Sequence, residues 1–181
     1  MMGKMTKAIS KEEIDTILGS IKIKQDVRNA LLVELNTGLR IQDIARLRYN
    51  DIQFGKLEII EKKTKKPQIT RINMELVEYL FKNRTREDNF IFASNEKEVK
   101  AFVRKVQDQI LKACDYENID STFISTHSFR KSFATLAYNE TKDIMFVQQL
   151  LNHSSVSVTQ KYIRVNKEKA DDYRGKQRLG F

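Results

Sequence analysis

The 181-residue chain has one cysteine, one proline, two histidines and six glycines, and each shortage closes a route. A single thiol, Cys114, cannot form an intramolecular disulfide and cannot supply the several thiolates of a structural metal site. With Pro67 the only proline, no low-complexity tract and no internal repeat, nothing marks a linker between domains. No apolar run approaches the roughly 20 residues a membrane helix needs. The start, "MMGKMTKAISKEEI", lacks the apolar stretch of a secretory signal. These absences predict one folded domain over 1–181 in the cytoplasm, with no oxidising compartment required.

Positive charge is what the chain has in excess. Thirty-three Lys and Arg against 24 Asp and Glu give a formal charge of +9, the profile of a protein that meets a polyanion. Nucleic acid is the leading partner class and an anionic membrane the weaker one. At 40% hydrophobic residues, the length suffices for one sizeable core.

Periodicity predicts a mainly helical α+β fold. Ser10 can cap a helix carrying Ile14, Ile17, Leu18 and Ile21. A second helix is expected from about Asp26 to Asn36, closed by Gly38, with a short third helix over "IQDIARL". The runs "DIQF", "KLEIIE" and "QITRIN", separated by Gly55 and by "KKTKKP", predict a small three-stranded antiparallel sheet. Helical spacing returns at Met74, Val77, Leu80 and Phe81. It returns again from Val99 through Val103, Val106 and Ile110, after a cap at Ser94 or Asn95. From Thr126 onward the pattern predicts short helices joined by tight turns.

Residues a core does not need are the candidates for chemistry. The two histidines each have company: "THSFRKSFATLAY" puts Arg130 three residues after His127, and "NHSSVSVTQKY" puts Tyr162 nine after His153. On a helix, i and i+3 share a face, so His127 and Arg130 could address one anion. Taken singly, each is an ordinary structural residue type. Two histidines without a set of carboxylates and thiolates do not make a metal site.

Together the segments "NTGLRIQDIARLRYNDI", "THSFRKSFATLAY" and "QQLLNHSSVSVTQKYIRV" resemble, in order and spacing, the catalytic domain of the tyrosine recombinase, or phage integrase, family. The resemblance spans about residues 10–165, leaving 166–181 as a charged tail, in which Tyr173, Leu179 and Phe181 could anchor on a neighbouring copy. It implies a catalytic set of Arg40, Lys63, His127, Arg130, His153 and Tyr162, with Asp43 orienting an arginine from behind. Asn152 stands where the family usually has glycine, and Phe129 and Lys131 replace the commoner leucine and histidine. The resemblance also implies an N-terminal core-binding domain, which is expected to be absent because the chain starts almost where the catalytic domain should.

The chemistry implied is breakage and rejoining of double-stranded DNA through a 3′-phosphotyrosyl link. Cationic donors would neutralise charge on the non-bridging oxygens, with Arg40 and Arg130 as bidentate forks and His153 as a further donor. His127 is the candidate base for Tyr162. Lys63 is the candidate acid for the leaving 5′-oxygen, with Lys62, Lys65 and Lys66 as competitors in the same run. No metal or nucleotide cofactor is implied, and a homotetramer on its recombination sites, weakly associating off DNA, is the expected assembly. A topoisomerase-like relaxation activity and a non-catalytic DNA-binding module are the alternatives.

Overall fold

The structure is a computed structural model, and it describes residues 6–160 of the chain. Helix α1 (Lys11–Gly19) starts at a capping box in which the Ser10 hydroxyl accepts from the Glu13 N–H and the Glu13 carboxylate accepts from the Ser10 N–H. It ends before Ile21, which is 76% exposed; Ile23 takes the buried place beyond the turn instead. Helix α2 (Gln25–Thr37) runs through the centre, with Val27, Ala30, Leu31 and Val33 fully buried, and packs along helix α6 (Thr126–Thr141). Each of these valine and leucine side chains contributes about 1.5–3 kcal/mol by leaving water, and the Ala30 methyl about 0.8 kcal/mol.

Gly38 closes α2 with φ 64°, as its place in the sequence predicts, and a Cβ there would lie 2.5 Å from the Phe133 ring and 3.0 Å from Leu151. Only glycine lets the end of α2 approach α6 this closely. Helix α3 (Ile41–Ile44) is shorter than expected. After Ile44 the chain tightens into i→i+3 bonds and then becomes extended, because Leu47 accepts from the Ile91 N–H and Tyr49 donates to the Asn89 carbonyl.

The sheet is the predicted antiparallel meander of β1 (Ile52–Gln53), β2 (Lys56–Ile60) and β3 (Pro67–Arg71), in the order β1-β2-β3. Leu57 and Ile59 face the core while Lys56, Glu58 and Ile60 face outward, the period-2 pattern of a half-covered sheet. The register pairs Ile60 with Pro67, leaving residues 61–66 as the hairpin loop. Helix α4 (Met74–Lys82) follows, with Leu76, Val77 and Leu80 inward and Phe81 half exposed. Helix α5 (Glu96–Tyr116) is capped by Asn95, whose side chain accepts from the N–H groups of Lys97 and Glu98. Cys114 packs in the core on this helix.

The region after Thr126 departs most from expectation. Instead of short helices it opens with the 16-residue α6, followed by α7 (Ile144–Leu150) and α8 (Val156–Gln160). A small second apolar cluster, Ala134, Val147 and Leu151 with Phe133 and Ile144 against it, ties α7 to α6 and so fixes the turn that leads to His153. Among the described residues no helix is long and apolar enough to cross a membrane.

Candidate active site

Arg130 sits on the buried side of α6 and is 1% exposed. Its Nη1 donates to the Gly38 carbonyl at the end of α2, and its Nη2 donates to the Leu151 carbonyl (2.9 Å) and lies 3.2 Å from His153 Nε2. A guanidinium only donates, so His153 Nε2 accepts; Nδ1 then carries the ring proton and donates to Thr159 Oγ1 (2.9 Å) on α8. Both Nη groups of Arg130 donate to carbonyls, where a bidentate contact with phosphate was expected, and His153 Nε2 accepts from Arg130, where a donor was expected. The physical reason is that a guanidinium buried among carbonyl ends takes the nearest acceptors.

Glu34, on α2, is also buried against this corner. Burial pushes its carboxyl well above the usual range, and the Arg130 charge pulls the other way; its Oε2 has no hydrogen-bond partner among the described residues. His153 is lowered to about 4, first by burial and then by Arg130 and Arg40, so it is neutral near pH 7. His127, in the first turn of α6, keeps an exposed face but is also lowered. Loss of hydration against the protein is the largest cause, followed by Arg130, Arg40, Lys131 and Lys63. A neutral imidazole can accept a proton, which is what a base for a phenol needs.

The turn before His153 needs a left-handed residue, and Asn152 supplies it with φ 52°, so the departure from glycine is absorbed. Phe129 is fully buried in the core and Lys131 Nζ donates to the Thr6 carbonyl, which gives both departures from the commoner pattern a structural use.

Arg40 is the N-cap residue of α3 and only half buried. Its Nη1 lies 2.9 Å from Glu61 Oε1, an ion pair whose angles are not those of a hydrogen bond. Glu61, at the base of the lysine loop, is fully buried, and sequence reasoning missed it. The available signal was a lone acid between the apolar strand end "EII" and the basic "KKTKK". Asp43 was expected to orient an arginine; its observed partner is the Lys62 N–H (2.9 Å). Because Arg40 caps α3 from outside the helix, the i, i+3 spacing does not put the two side chains together, and the carboxylate that reaches Arg40 comes from the hairpin.

Within the loop, Lys62 pairs with Glu96, while Lys63 is exposed and is the loop lysine whose charge depresses both histidines. The structure therefore brings Arg40, Lys63, His127, Arg130 and His153 to one electropositive region. Tyr162 lies outside the described residues, as do Tyr173, Leu179 and Phe181. Beside His153, the groove between β3 and the end of α7 is lined by Gln68, Thr70, Arg71, Gln149 and Asn152, donors and acceptors suited to a polar ligand. Among the described residues no group of three or more His, Cys, Asp or Glu side chains could hold a metal ion.

A helical domain that gathers two arginines, two histidines and a hairpin lysine presents the kind of charge that stabilises an anionic transition state. Residues 7–169 match the phage integrase family, and the chain belongs to that family. A probable integrase/recombinase of Bacillus subtilis, YoeC, is 32% identical over 144 residues, covering 74% of this chain and 75% of that protein. Tyrosine recombinase XerA of Pyrococcus furiosus is 31% identical over 169 residues, covering 89% of this chain but 58% of its own length. The crystal structure of a lambda integrase tetramer bound to a Holliday junction superposes with a TM-score of 0.71 at 18% identity, over 100% of this chain and 52% of that one. The fold is that of the tyrosine recombinase catalytic domains.

Proposed function

We propose that this chain is the catalytic part of a site-specific DNA recombinase or integrase that cleaves and rejoins double-stranded DNA through a covalent 3′-phosphotyrosyl intermediate, with Tyr162 as the nucleophile. What supports it most is the family match over residues 7–169 together with the geometry of the site, in which Arg130 is held against His153 and Arg40 lies 2.9 Å from Glu61 at the base of the loop that carries Lys63.

In this reading the Tyr162 hydroxyl attacks phosphorus as its proton passes to His127, and the bond from phosphorus to the 5′-oxygen breaks as Lys63 Nζ gives that oxygen a proton. Partly exposed Arg40 meets the non-bridging oxygens, and Arg130, held by Gly38, Leu151 and His153, supplies a fixed positive charge behind them. Rejoining runs the same transfers backwards. The phosphotyrosyl link conserves the phosphodiester energy, so the reaction needs neither a metal ion nor a nucleotide. Double-stranded DNA is the partner, and a homotetramer on recombination sites is the working assembly, by analogy with the lambda integrase tetramer.

The test is incubation with nicked duplexes that trap a cleaved strand. Wild type should yield a covalent protein–DNA adduct in the presence of chelator, and Tyr162→Phe should yield none while binding duplex as well as wild type. Adducts that persist in Tyr162→Phe would sink the assignment. Binding without any adduct in wild type would leave only a DNA-binding module, and supercoil relaxation without strand exchange would favour the topoisomerase-like alternative.

A further inference from the structure

The lysine loop is folded around one side chain. Glu61 sits at its first position, and its backbone closes both ends: its N–H donates to the Lys66 carbonyl (3.0 Å) and its carbonyl accepts from the Lys65 N–H (2.9 Å). Its carboxylate does two further things. Oε2 accepts from the Thr64 hydroxyl (2.5 Å), and Oε1 lies 2.9 Å from Arg40 Nη1. Thr64 Oγ1 in turn accepts from the Lys66 N–H (3.3 Å), and Lys65 turns the chain with φ 57°. Lys63 lies between these fixed points, on the exposed side.

A lysine is a poor general acid if left to itself. Its stem carries about 2 kcal/mol of rotamer entropy, and a proton donor must stand within hydrogen-bond reach of the leaving oxygen. An exposed loop without an anchor would present the ammonium to water more often than to DNA. We propose that Glu61 is a positioning residue that fastens the hairpin loop to Arg40 through Thr64 and thereby presents the Lys63 ammonium to the leaving 5′-oxygen. The ion pair makes the two cations one unit, in which Arg40 meets the phosphate and Lys63 is carried to the bridging oxygen of the same phosphate. This rests on the reading of Lys63 as the acid given above.

The experiment compares cleavage rates on ordinary DNA and on DNA with sulfur in place of the bridging 5′-oxygen, whose thiolate leaves without a proton. Misplacing a catalytic group by about 1 Å can cost on the order of 100-fold, so Glu61→Ala should slow cleavage of ordinary DNA by about 10- to 100-fold. Thr64→Val, which keeps the buried charge pair and is the less disruptive change, should slow it by a smaller factor. On the sulfur substrate Thr64→Val should recover to near wild type, as Lys63→Ala should, and Glu61→Ala should recover most of its loss, whereas Arg40→Ala should stay slow on both. A Glu61→Ala defect equal on the two substrates would mean that Glu61 serves Arg40 alone and overturns the proposal. If Glu61→Ala does not fold, wild-type rates for Thr64→Val overturn it equally. If Lys63→Ala itself is not relieved by sulfur, the acid is misassigned and the inference falls with that reading; if Lys63→Ala is relieved and the Glu61 and Thr64 variants are not, only the inference falls.

Discussion

The corner around Arg130 and the loop that carries Lys63 bring positive charge to the same site by opposite means. Arg130 is buried, locked by two backbone carbonyls and a histidine, and backed by the buried Glu34. Lys63 is exposed, and it is the loop beneath it that is tied down. A charge that must be present throughout the reaction can be built into the core, where it also holds α2, α6 and α7 together. A proton that must be given and taken back needs a side chain that moves and meets solvent. Stability and chemistry should therefore fall together at Arg130 and separate at Lys63.

The sharpest way to break that contrast is to remove both side chains in turn. Arg130→Ala leaves the buried Gly38 and Leu151 carbonyls and His153 Nε2 without their donor and should cost about 3 kcal/mol or more of stability, at about 1–3 kcal/mol for each orphaned acceptor, along with all cleavage. Lys63→Ala should slow cleavage by about 10²- to 10⁴-fold with an unchanged urea midpoint. An Arg130→Ala protein as stable as wild type, or a Lys63→Ala protein clearly less stable, would erase the distinction.

Gly38→Ala attacks the same corner from the backbone. The new methyl would lie 2.5 Å and 2.6 Å from two carbons of the Phe133 ring, in a left-handed conformation. Overpacking costs about 1–3 kcal/mol and the strained backbone about 1–2 kcal/mol more. Urea unfolding should register that loss together with reduced cleavage, since Gly38 also carries the carbonyl that holds Arg130. Gly19→Ala, with nothing within 4 Å, is the control and should change stability by less than about 1 kcal/mol.

How much of this was legible in the sequence follows the same division. Helices α1, α2 and α5 could be placed because caps and apolar spacing act locally: Ser10, Gly38 and Asn95 sit where the sequence puts them. The sequence pattern divides α6 into short helices because its buried face carries Ser128, Arg130 and Ser132, polar residues that interrupt the apolar period. Those polar positions serve the site and the N-terminal segment: the Ser132 hydroxyl accepts from the Ile9 N–H and donates to the Ile9 carbonyl. Of the candidate site residues, Arg40, His127, Arg130 and His153 were read from motif order and Lys63 from hairpin register; the fold sets Arg130 against His153 and Arg40 against the base of the lysine loop. Glu61 was not legible, because its partner is 21 positions away at the start of α3, a distance no local pattern spans. Nearness in sequence to Arg40 did not become contact at Asp43, whose carboxylate accepts from the Lys62 N–H instead.

Acid gives a gentler test of the buried corner. The folded-state pKa of His153, about 4, lies below the ordinary value of 6.5, so the unfolded chain binds more protons between these values. Stability is therefore retained above about pH 6.5 and lost as pH falls toward 4, by roughly 3 kcal/mol from this group at about 1.4 kcal/mol per unit. Denaturant titrations at pH 7 and pH 4 should show a smaller loss for His153→Gln than for wild type. Parallel losses would mean that His153 is not held neutral by its surroundings.

The smallest effect belongs to the solvent side of the hairpin. The Glu96 carboxyl is held at about 2 by hydrogen bonds from Arg46 and then Lys62, yet the network lies in water and should be screened by salt. Glu96→Ala and Lys62→Ala should each shift the melting temperature slightly at low salt and not at all near 1 M, with cleavage unchanged. A Lys62→Ala defect as large as that of Lys63→Ala would move the acid one residue along the loop.

The covalent bond itself can be located. Wild-type protein trapped on a nicked duplex can be digested with nuclease and trypsin, and the nucleotide-bearing peptide sequenced by mass spectrometry. The remnant should be a 3′-phosphate on Tyr162, in the peptide that begins after Lys161. A remnant on any other side chain, or a reaction that joins strands with no protein-linked nucleotide at any stage, would contradict the assignment.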